Sequence, residues 1–149
     1  MSCILHLSGK NFDVDAFIAK SKLRPYKVFY KGKPKLKSKP DGRKAEHTGC
    51  AILVSDADFD NIEGQIKDAI SYLKRNNKKL LVLTKTKGIK FATLDFGIDA
   101  RIDGKEHLTQ SETFPSKLLQ LAGNLGLSIE ISLYSPNMQE VLEKQRNLK

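Results

Sequence analysis

The pattern of apolar residues is most regular between residues 50 and 76. Residues 50–54 form a continuous apolar run, which is typical of a buried strand. After a polar interval, apolar residues recur three and four positions apart, as on one face of an α-helix. These residues are Ile62, Ile66, Ala69, Ile70 and Leu73. We expect Asp60 and Glu63 to cap the start of this helix, and the helix dipole to favour Lys74 near its end.

The rest of the chain predicts further strands and helices around this unit. Strands are expected at residues 3–8, 26–30, 80–83, 89–98 and 127–133, and helices are expected after Asp13 and from Phe114. The order strand-helix-strand then occurs three times, which predicts an α+β fold. We expect a single mixed or antiparallel sheet of about six strands with three helices on one face, a ferredoxin-like arrangement with an added β-α-β unit. A parallel doubly wound sheet is the alternative.

A single domain is expected from the length of 149 residues, which suffices to bury a hydrophobic core. Residues 1–136 are expected to form this α+β domain, and residues 137–149 form a polar C-terminal tail. Within the domain, residues 31–49 are rich in glycine, proline and lysine and predict a basic loop. Because this loop is longer than most connections, we expect it to be functional, mobile or both.

The net charge of +9 is concentrated in one segment. Residues 20–44 contain eleven basic side chains and one acidic side chain, a net charge of +10. Residues 1–19 carry a net charge of −1, and in residues 45–149 fourteen basic side chains balance fourteen acidic ones. The chain is therefore a neutral domain with one basic segment, and such a segment indicates an acidic partner surface.

The cysteine content and the N-terminal sequence indicate an intracellular protein. Cys3 and Cys50 lie in apolar strand-like runs, and we expect both to be reduced thiols in the core. The apolar stretch at the N-terminus is too short for a signal peptide, and no stretch approaches the length of a membrane span. We therefore expect a cytoplasmic protein without membrane contact.

Two pairs of residues have a spacing that suggests a zinc site. Cys3 with His6, and His47 with Cys50, would bind zinc if their strands were neighbours. On a strand, however, residues three apart point to opposite faces. We therefore expect two core thiols, two unrelated histidines, and neither a metal site nor a cofactor.

Asp56 and Asp58 follow the strand at residues 50–54, and their spacing resembles that of the haloacid dehalogenase-like phosphatases. In that family the first aspartate is the nucleophile, and a later strand ends in Ser or Thr, as residues 80–84 do here. The interval to Thr84 is short, and no adjacent acidic pair follows. We expect these aspartates instead to cap the following helix and to interact with the positive end of its dipole. We therefore expect the chain not to be an enzyme, and phosphatase activity is the third hypothesis.

The basic segment carries the candidate binding residues. Lysine recurs at every second position from residue 31 to residue 39, and aromatic side chains precede this run. The expected binding residues are Tyr26, Tyr30, Lys31, Lys33, Lys35, Lys37, Lys39, Arg43 and Lys44. They would follow a phosphate backbone or meet an acidic protein surface. A solvated loop that keeps an edge strand from pairing is the structural alternative.

Several short motifs along residues 5–136 resemble a family of small bacterial domains of unknown function. The motifs are LSGKNFDVD at 7–15, KGKP at 31–34, TGC at 48–50, DFG at 95–97 and IEISLYSP at 129–136. Some members of this family look like immunity proteins of polymorphic toxin systems. The resemblance implies a binding protein whose partner is another protein, such as a toxin, and it implies no catalytic residues.

We therefore expect a non-catalytic, immunity-like domain that binds an acidic protein surface through residues 26–49. A blocker of a nuclease would be acidic, because it faces a site built for phosphates, so a basic segment indicates an acidic toxin surface. A nucleic-acid-binding module that uses the same lysines is the second hypothesis.

Overall fold

The computed structural model describes residues 1–35, 38–102 and 105–135, so the tail predicted at residues 137–149 lies outside it. The described residues form five strands and four α-helices. The strands are β1 (Cys3–Gly9), β2 (Lys27–Phe29), β3 (Thr48–Ser55), β4 (Phe91–Asp99) and β5 (Ser128–Tyr134). The helices are α1 (Val14–Ser21), α2 (Ile62–Arg75), α3 (Asn77–Leu80) and α4 (Ser116–Asn124), and a 3₁₀ turn spans Leu83–Lys85. None of these helices has the length and apolar character needed to cross a membrane.

The five strands form one sheet in the order β2-β3-β1-β4-β5. Strand β1 pairs antiparallel with β3 and with β4, and β2 pairs antiparallel with β3. The edge strand β5 runs parallel to β4, to which it is connected through α4. The α+β class is therefore confirmed, whereas the alternative of a parallel doubly wound sheet is wrong.

The residues of β1 separate the two faces of the sheet. Cys3, Leu5 and Leu7 are fully buried, and the residues between them are half-buried. Because side chains alternate along a strand, the two sets lie on opposite faces. The first face packs with apolar residues of α1, α2 and α4 in one core cluster. We call the opposite face, which carries Ile4 and His6, the open face.

Side-chain caps fix the starts of two helices. The Asp13 carboxylate accepts a hydrogen bond from the Ala16 amide at 2.9 Å and caps α1, as its position in the sequence predicts. At α2 the cap is Asn61, whose side-chain oxygen accepts from the Gly64 amide at 2.9 Å. The prediction that Asp60 caps this helix is wrong by one residue, because α2 begins at Ile62 and the cap is the residue directly before it.

The strand predicted at residues 80–83 is wrong, because this segment is helical. Leu80 ends α3, and Leu83 begins the 3₁₀ turn. Both leucines are buried, whereas Leu81 between them is exposed, and burial at every third residue is the spacing of a helical turn. The Thr84 hydroxyl donates to the Leu81 carbonyl at 2.9 Å, so local hydrogen bonds take the place of a sheet ladder.

The loss of this strand changes the predicted architecture. The sheet has five strands rather than six, and α3 raises the number of helices from three to four. The chain passes from α2 through the helical segment into β4, which lies beside β1. The other predicted strands are present, with ends that differ from the predicted ones.

A buried glutamine joins α2 to the loop after β3 and to β4. Gln65 is 0% exposed, and its Nε2 donates to the carbonyls of Gly97 at 2.8 Å and Asp58 at 3.2 Å. A buried polar group costs free energy unless it is hydrogen-bonded. The two hydrogen bonds satisfy the amide nitrogen of Gln65, whereas its buried Oε1 atom has no hydrogen-bond partner among the described residues.

We expect Gln65→Met to lower the free energy of unfolding by about 1–3 kcal/mol, because two buried hydrogen bonds are lost. The Asp58 carbonyl keeps the Asn61 amide as a donor. Chemical denaturation measures this change. Gln120→Met, on the exposed face of α4, is the matched control and should change stability by less than about 0.5 kcal/mol. Equal effects of the two substitutions would contradict the role of Gln65.

Both cysteines are buried and unpaired, as the sequence predicts. Burial raises the pKa of the Cys50 thiol to about 12, and burial together with Asp95 raises the pKa of Cys3 further. Since the thiolate is the reactive form, we expect neither thiol to react with an aromatic disulfide reagent at about pH 8 until guanidinium unfolds the chain. Absorbance of the released thiolate measures the reaction, and rapid labelling of the native protein would contradict the core position of these residues.

Candidate binding site

Part of the predicted loop at residues 31–49 is an extension of the β2–β3 hairpin. Backbone hydrogen bonds join its two sides beyond the end of the sheet. They run from the Ala45 amide to the Lys33 carbonyl and from the Lys35 amide to the Arg43 carbonyl, each at 2.9 Å, and an antiparallel bridge joins Pro34 to Lys44. The segment is therefore a two-stranded ribbon around these pairs, and we call residues 31–47 the arm.

The arm keeps the register of the hairpin from which it extends. In the sheet, Lys27 faces Ala51 and Phe29 faces Gly49. Pro34 lies five residues after Phe29, and Lys44 lies five residues before Gly49, so the bridged pair in the arm has the same register as the sheet. Because side chains alternate along each strand, Lys35 and Arg43 belong to one face of the ribbon, and the bridged residues Pro34 and Lys44 belong to the other.

A turn redirects the chain where the arm leaves the sheet. Gly32 has a φ of +79°, a conformation that residues with a Cβ rarely adopt. Across this turn the Lys33 amide donates to the Tyr30 carbonyl at 3.1 Å. The Lys31 amide donates to the Thr48 hydroxyl at 3.1 Å and ties the turn to the start of β3. The base of the arm is thus held by hydrogen bonds on both of its sides.

A groove of about 370 Å³ lies between the arm and the end of the sheet. Its lining includes Lys27 and Phe29 of β2 and Lys35, Arg43, Glu46 and His47 of the arm. Among them, Lys35 and Arg43 stand directly opposite each other and so lie on the same face of the ribbon. The alternation of the two strands therefore assembles the groove.

Three cationic side chains border the groove. Lys35 and Arg43 come from opposite sides of the arm, and Lys27 comes from β2. Arg43 Nη2 lies 3.3 Å from Glu46 Oε1, in the one ion pair that the described residues of the arm contain. Because both partners are exposed, this pair contributes about 1 kcal/mol or less. The groove keeps an excess of positive charge and suits an anionic group.

Aromatic rings add apolar surface to the groove. A Cβ at Gly49 would lie 2.7 Å from Phe29 Cζ, so the absence of a side chain at Gly49 lets the Phe29 ring approach the sheet. The His47 ring packs edge-on against Phe91, with ring centroids 5.6 Å apart. Within the described part of the chain, the buried Nε2 atom of His47 has no hydrogen-bond partner. The groove thus combines cations with aromatic surface.

The structure divides the predicted binding residues by position. Lys35 and Arg43 line the groove, and Tyr30 stands at the base of the arm. Tyr26 lies at the other end of β2, where its amide donates to the Ala51 carbonyl at 3.0 Å. The exposed lysines along the rest of the arm are Lys31, Lys33, Lys39 and Lys44. Lys37 lies outside the described residues.

Tyr30 has a structural role at the base of the arm. Its hydroxyl donates to Asp15 Oδ1 at 2.9 Å, and this hydrogen bond raises the pKa of Tyr30. Asp15 belongs to α1, so the bond ties the arm to the domain. Tyr26, by contrast, is 47% exposed and is free to meet a partner.

The prediction from sequence omits three residues that line the groove, Lys27, Phe29 and His47. Lys27 and Phe29 continue the spacing of two that the arm lysines show, and this alternation is a signal that would include them. His47 gives no local signal, because it reaches the groove only through pairing between the two sides of the hairpin.

A second polar cluster lies on the open face. The Ser132 hydroxyl donates to Asp95 Oδ1 at 2.8 Å, and His6 Nε2 lies 3.9 Å from Asp95 Oδ2. The carboxylate thus stands between the hydroxyl and the imidazole, whereas a serine nucleophile needs the imidazole beside it. Burial lowers the pKa of His6 against the opposing charges of Asp95 and Glu130, and Lys27 lowers it further. The cluster presents a neutral imidazole and a hydrogen-bonded carboxylate.

The arrangement required by the phosphatase hypothesis is incomplete in the described residues. Asp56 accepts a hydrogen bond from the N-terminal amine at 2.6 Å. The hypothesis also requires a strand that ends at Thr84, but this residue lies in the 3₁₀ turn. The second strand that the phosphatase motif requires is therefore not formed by residues 80–84.

The residues considered for zinc do not converge. Cys3 faces the core and His6 the open face, as their spacing on one strand predicts. Across residues 1–35, 38–102 and 105–135, no three His, Cys, Asp or Glu side chains are close enough to hold one metal ion.

Comparisons of the chain with known proteins find no match to a protein-family model, to a curated protein or to a solved structure. The resemblance of the sequence motifs to a bacterial domain family therefore stays a prediction. The functional conclusion depends on the geometry and charge of the arm.

We expect His6 to titrate below 6.5 and Asp95→Asn to lower its pKa further, because Asp95 is the strongest charge that favours the imidazolium. Proton NMR of the imidazole measures both values. Glu130→Gln is the matched comparison and should produce a smaller decrease. Because folding lowers the pKa of His6, its contribution to stability should be lost as the pH falls through 6.5 toward the folded value. A rise in the pKa of His6 in Asp95→Asn would refute this account.

Proposed function

We propose that the chain is a non-catalytic, immunity-like domain that binds an acidic surface of another protein through residues 26–49. The register of the arm carries the proposal, because it gathers basic residues from both sides of the hairpin at one groove. Outside residues 20–44, the chain has a net charge of −1. Long-range attraction of an acidic partner is therefore directed to the arm.

The order of the strands supports the finer interpretation of the fold as ferredoxin-like with an added unit. The chain from β1 to β4 runs β-α-β-β-α-β if the short α3 is set aside, and β1 lies between β3 and β4. Helix α4 and strand β5 add a unit at the side of β4. This topology implies no function by itself, because such folds carry many functions.

An acidic group at the groove favours a protein partner over a nucleic acid. Glu46 lines the groove. Its carboxylate repels phosphates, whereas it accepts hydrogen bonds from the amide groups of a peptide. Lysine also outnumbers arginine on the arm, although arginine is the residue that binds phosphates in a bidentate manner.

The immunity-like part of the proposal depends on the resemblance of the sequence motifs to the bacterial family. An immunity protein needs a surface complementary to its toxin and no chemistry of its own. The charge of the arm then specifies a toxin with an acidic surface, which the arm would cover. Nucleic-acid binding by the same lysines is the second hypothesis, and Phe29 beside the cations is the observation that favours it.

We expect the double substitution Lys33→Glu and Lys44→Glu to weaken binding of a short poly-L-glutamate chain by roughly tenfold, because it reverses two exposed charges on the arm. Fluorescence anisotropy of the labelled polyglutamate measures the affinity at low and at high salt. Binding to the unaltered protein should weaken as salt screens the exposed charges.

The matched control is the double substitution Lys78→Glu and Lys79→Glu in α3, which changes the net charge equally at exposed positions outside the arm. Its affinity for polyglutamate should stay close to that of the unaltered protein. Equal losses in the two variants would mean that only net charge matters, and the proposal would fail. Tighter binding of single-stranded RNA than of polyglutamate at every salt concentration would establish the second hypothesis in its place.

A further inference from the structure

We infer that the groove between the arm and the sheet binds glutamate side chains of an extended acidic peptide segment of the partner. The inference rests on the proposed function and adds a specific pocket and a ligand chemistry to it. Without such a pocket, the lysines of the arm would attract an acidic protein only through their total charge.

The first step is a conflict between two like charges that the fold places opposite each other. The Lys35 amide donates to the Arg43 carbonyl at 2.9 Å, and the register makes these two residues direct neighbours across the arm. Like charges in directly opposite positions destabilise a pair of strands. Glu46 offsets part of the charge of Arg43, whereas Lys35 has no ion-pair partner among the described residues. An anionic group between the two cations would remove the repulsion.

The second step concerns the shape of the space between these cations and the sheet. Lys27 borders the groove from β2, so a bound anion would face cations from three backbone positions. The volume of about 370 Å³ lies at the lower end of the range for ligand pockets, which suits one or two side chains rather than a large ligand. The groove is open to solvent, so side chains of a partner can enter it.

The third step separates a peptide from a phosphate ligand. The Glu46 carboxylate lines the groove and would repel a phosphate group. A peptide backbone carries an N–H donor at each residue other than proline, and such a donor can meet Glu46 while side-chain carboxylates meet the cations. The Phe29 ring offers apolar contact to the methylene groups of a glutamate side chain. The mixture of groups therefore matches an acidic peptide.

The experiment compares two double variants that remove equal charge from the arm. Lys35→Gln with Arg43→Gln alters the groove, and Lys31→Gln with Lys39→Gln alters exposed positions outside its lining. A labelled oligoglutamate peptide is the probe, and anisotropy measures its affinity. We expect the groove variant to lose roughly tenfold to hundredfold in affinity, because charge-assisted hydrogen bonds are lost. The other arm variant should lose about threefold or less, because it alters only exposed charges.

Thermal unfolding of the same variants tests the like-charge conflict directly. Without peptide, the Tm of the groove variant should be equal to or higher than that of the unaltered protein, because the repulsion across the arm is gone. A lower Tm would indicate that Lys35 and Arg43 serve the fold, and it would overturn the inference. Amide NMR shifts of the unaltered protein on peptide addition give an independent reading, expected to be largest at Phe29, Lys35 and Ala45.

Two further outcomes distinguish this inference from the proposed function. Equal losses of affinity in the two arm variants would overturn the groove as a pocket and would leave the arm as a diffuse binding surface. Failure of the unaltered protein to bind oligoglutamate at low salt would overturn both. Inorganic pyrophosphate is the competitor, and displacement of the peptide by pyrophosphate at equal concentration would show a phosphate site instead.

Discussion

The pairing of β1 with both of its neighbours is the constraint on which the rest of the structure depends. Strand β1 is hydrogen-bonded to β3 on one side and to β4 on the other, so its orientation sets the faces of the whole sheet. Leu5 and Leu7 are fully buried against the helices, and alternation places His6 on the open face. Because β3 also pairs with β2, the same sheet carries the hairpin from which the arm extends, and pairing across the arm places Lys35 opposite Arg43 at the groove.

The described residues of the arm show how a polar segment can be held together without a core of its own. Its two sides bury little apolar surface, and Ala45 is its one buried apolar residue among the described residues. The order comes from backbone hydrogen bonds between the sides and from contacts at the base, such as the bond from Tyr30 to Asp15. Side chains along the arm can consequently be charged, because they stay exposed to solvent and have no desolvation cost.

The sequence predicts the regular parts of this fold and fails where several structures share one local pattern. The helical face from Ile62 to Leu73 is predicted because its spacing fits no other element. Four adjacent apolar residues at 80–83 fit a strand or a helical turn equally, and only burial of Leu80 and Leu83 against the core selects the turn. The basic segment is recognised from composition, but the groove depends on pairing across the hairpin, which local spacing does not contain.

Protection of an edge strand is the structural alternative for the basic residues, and it explains the arm only in part. Lysines along an exposed edge do prevent pairing with other chains. That role requires charge somewhere on each side of the ribbon and gives no reason to place two cations directly opposite each other. Lys35 and Arg43 are so placed, and Lys27 faces the same groove. Functional sites often retain interactions that destabilise the fold locally, such as the repulsion between Lys35 and Arg43. The position of these three cations, more than the number of lysines, therefore argues for an anionic ligand.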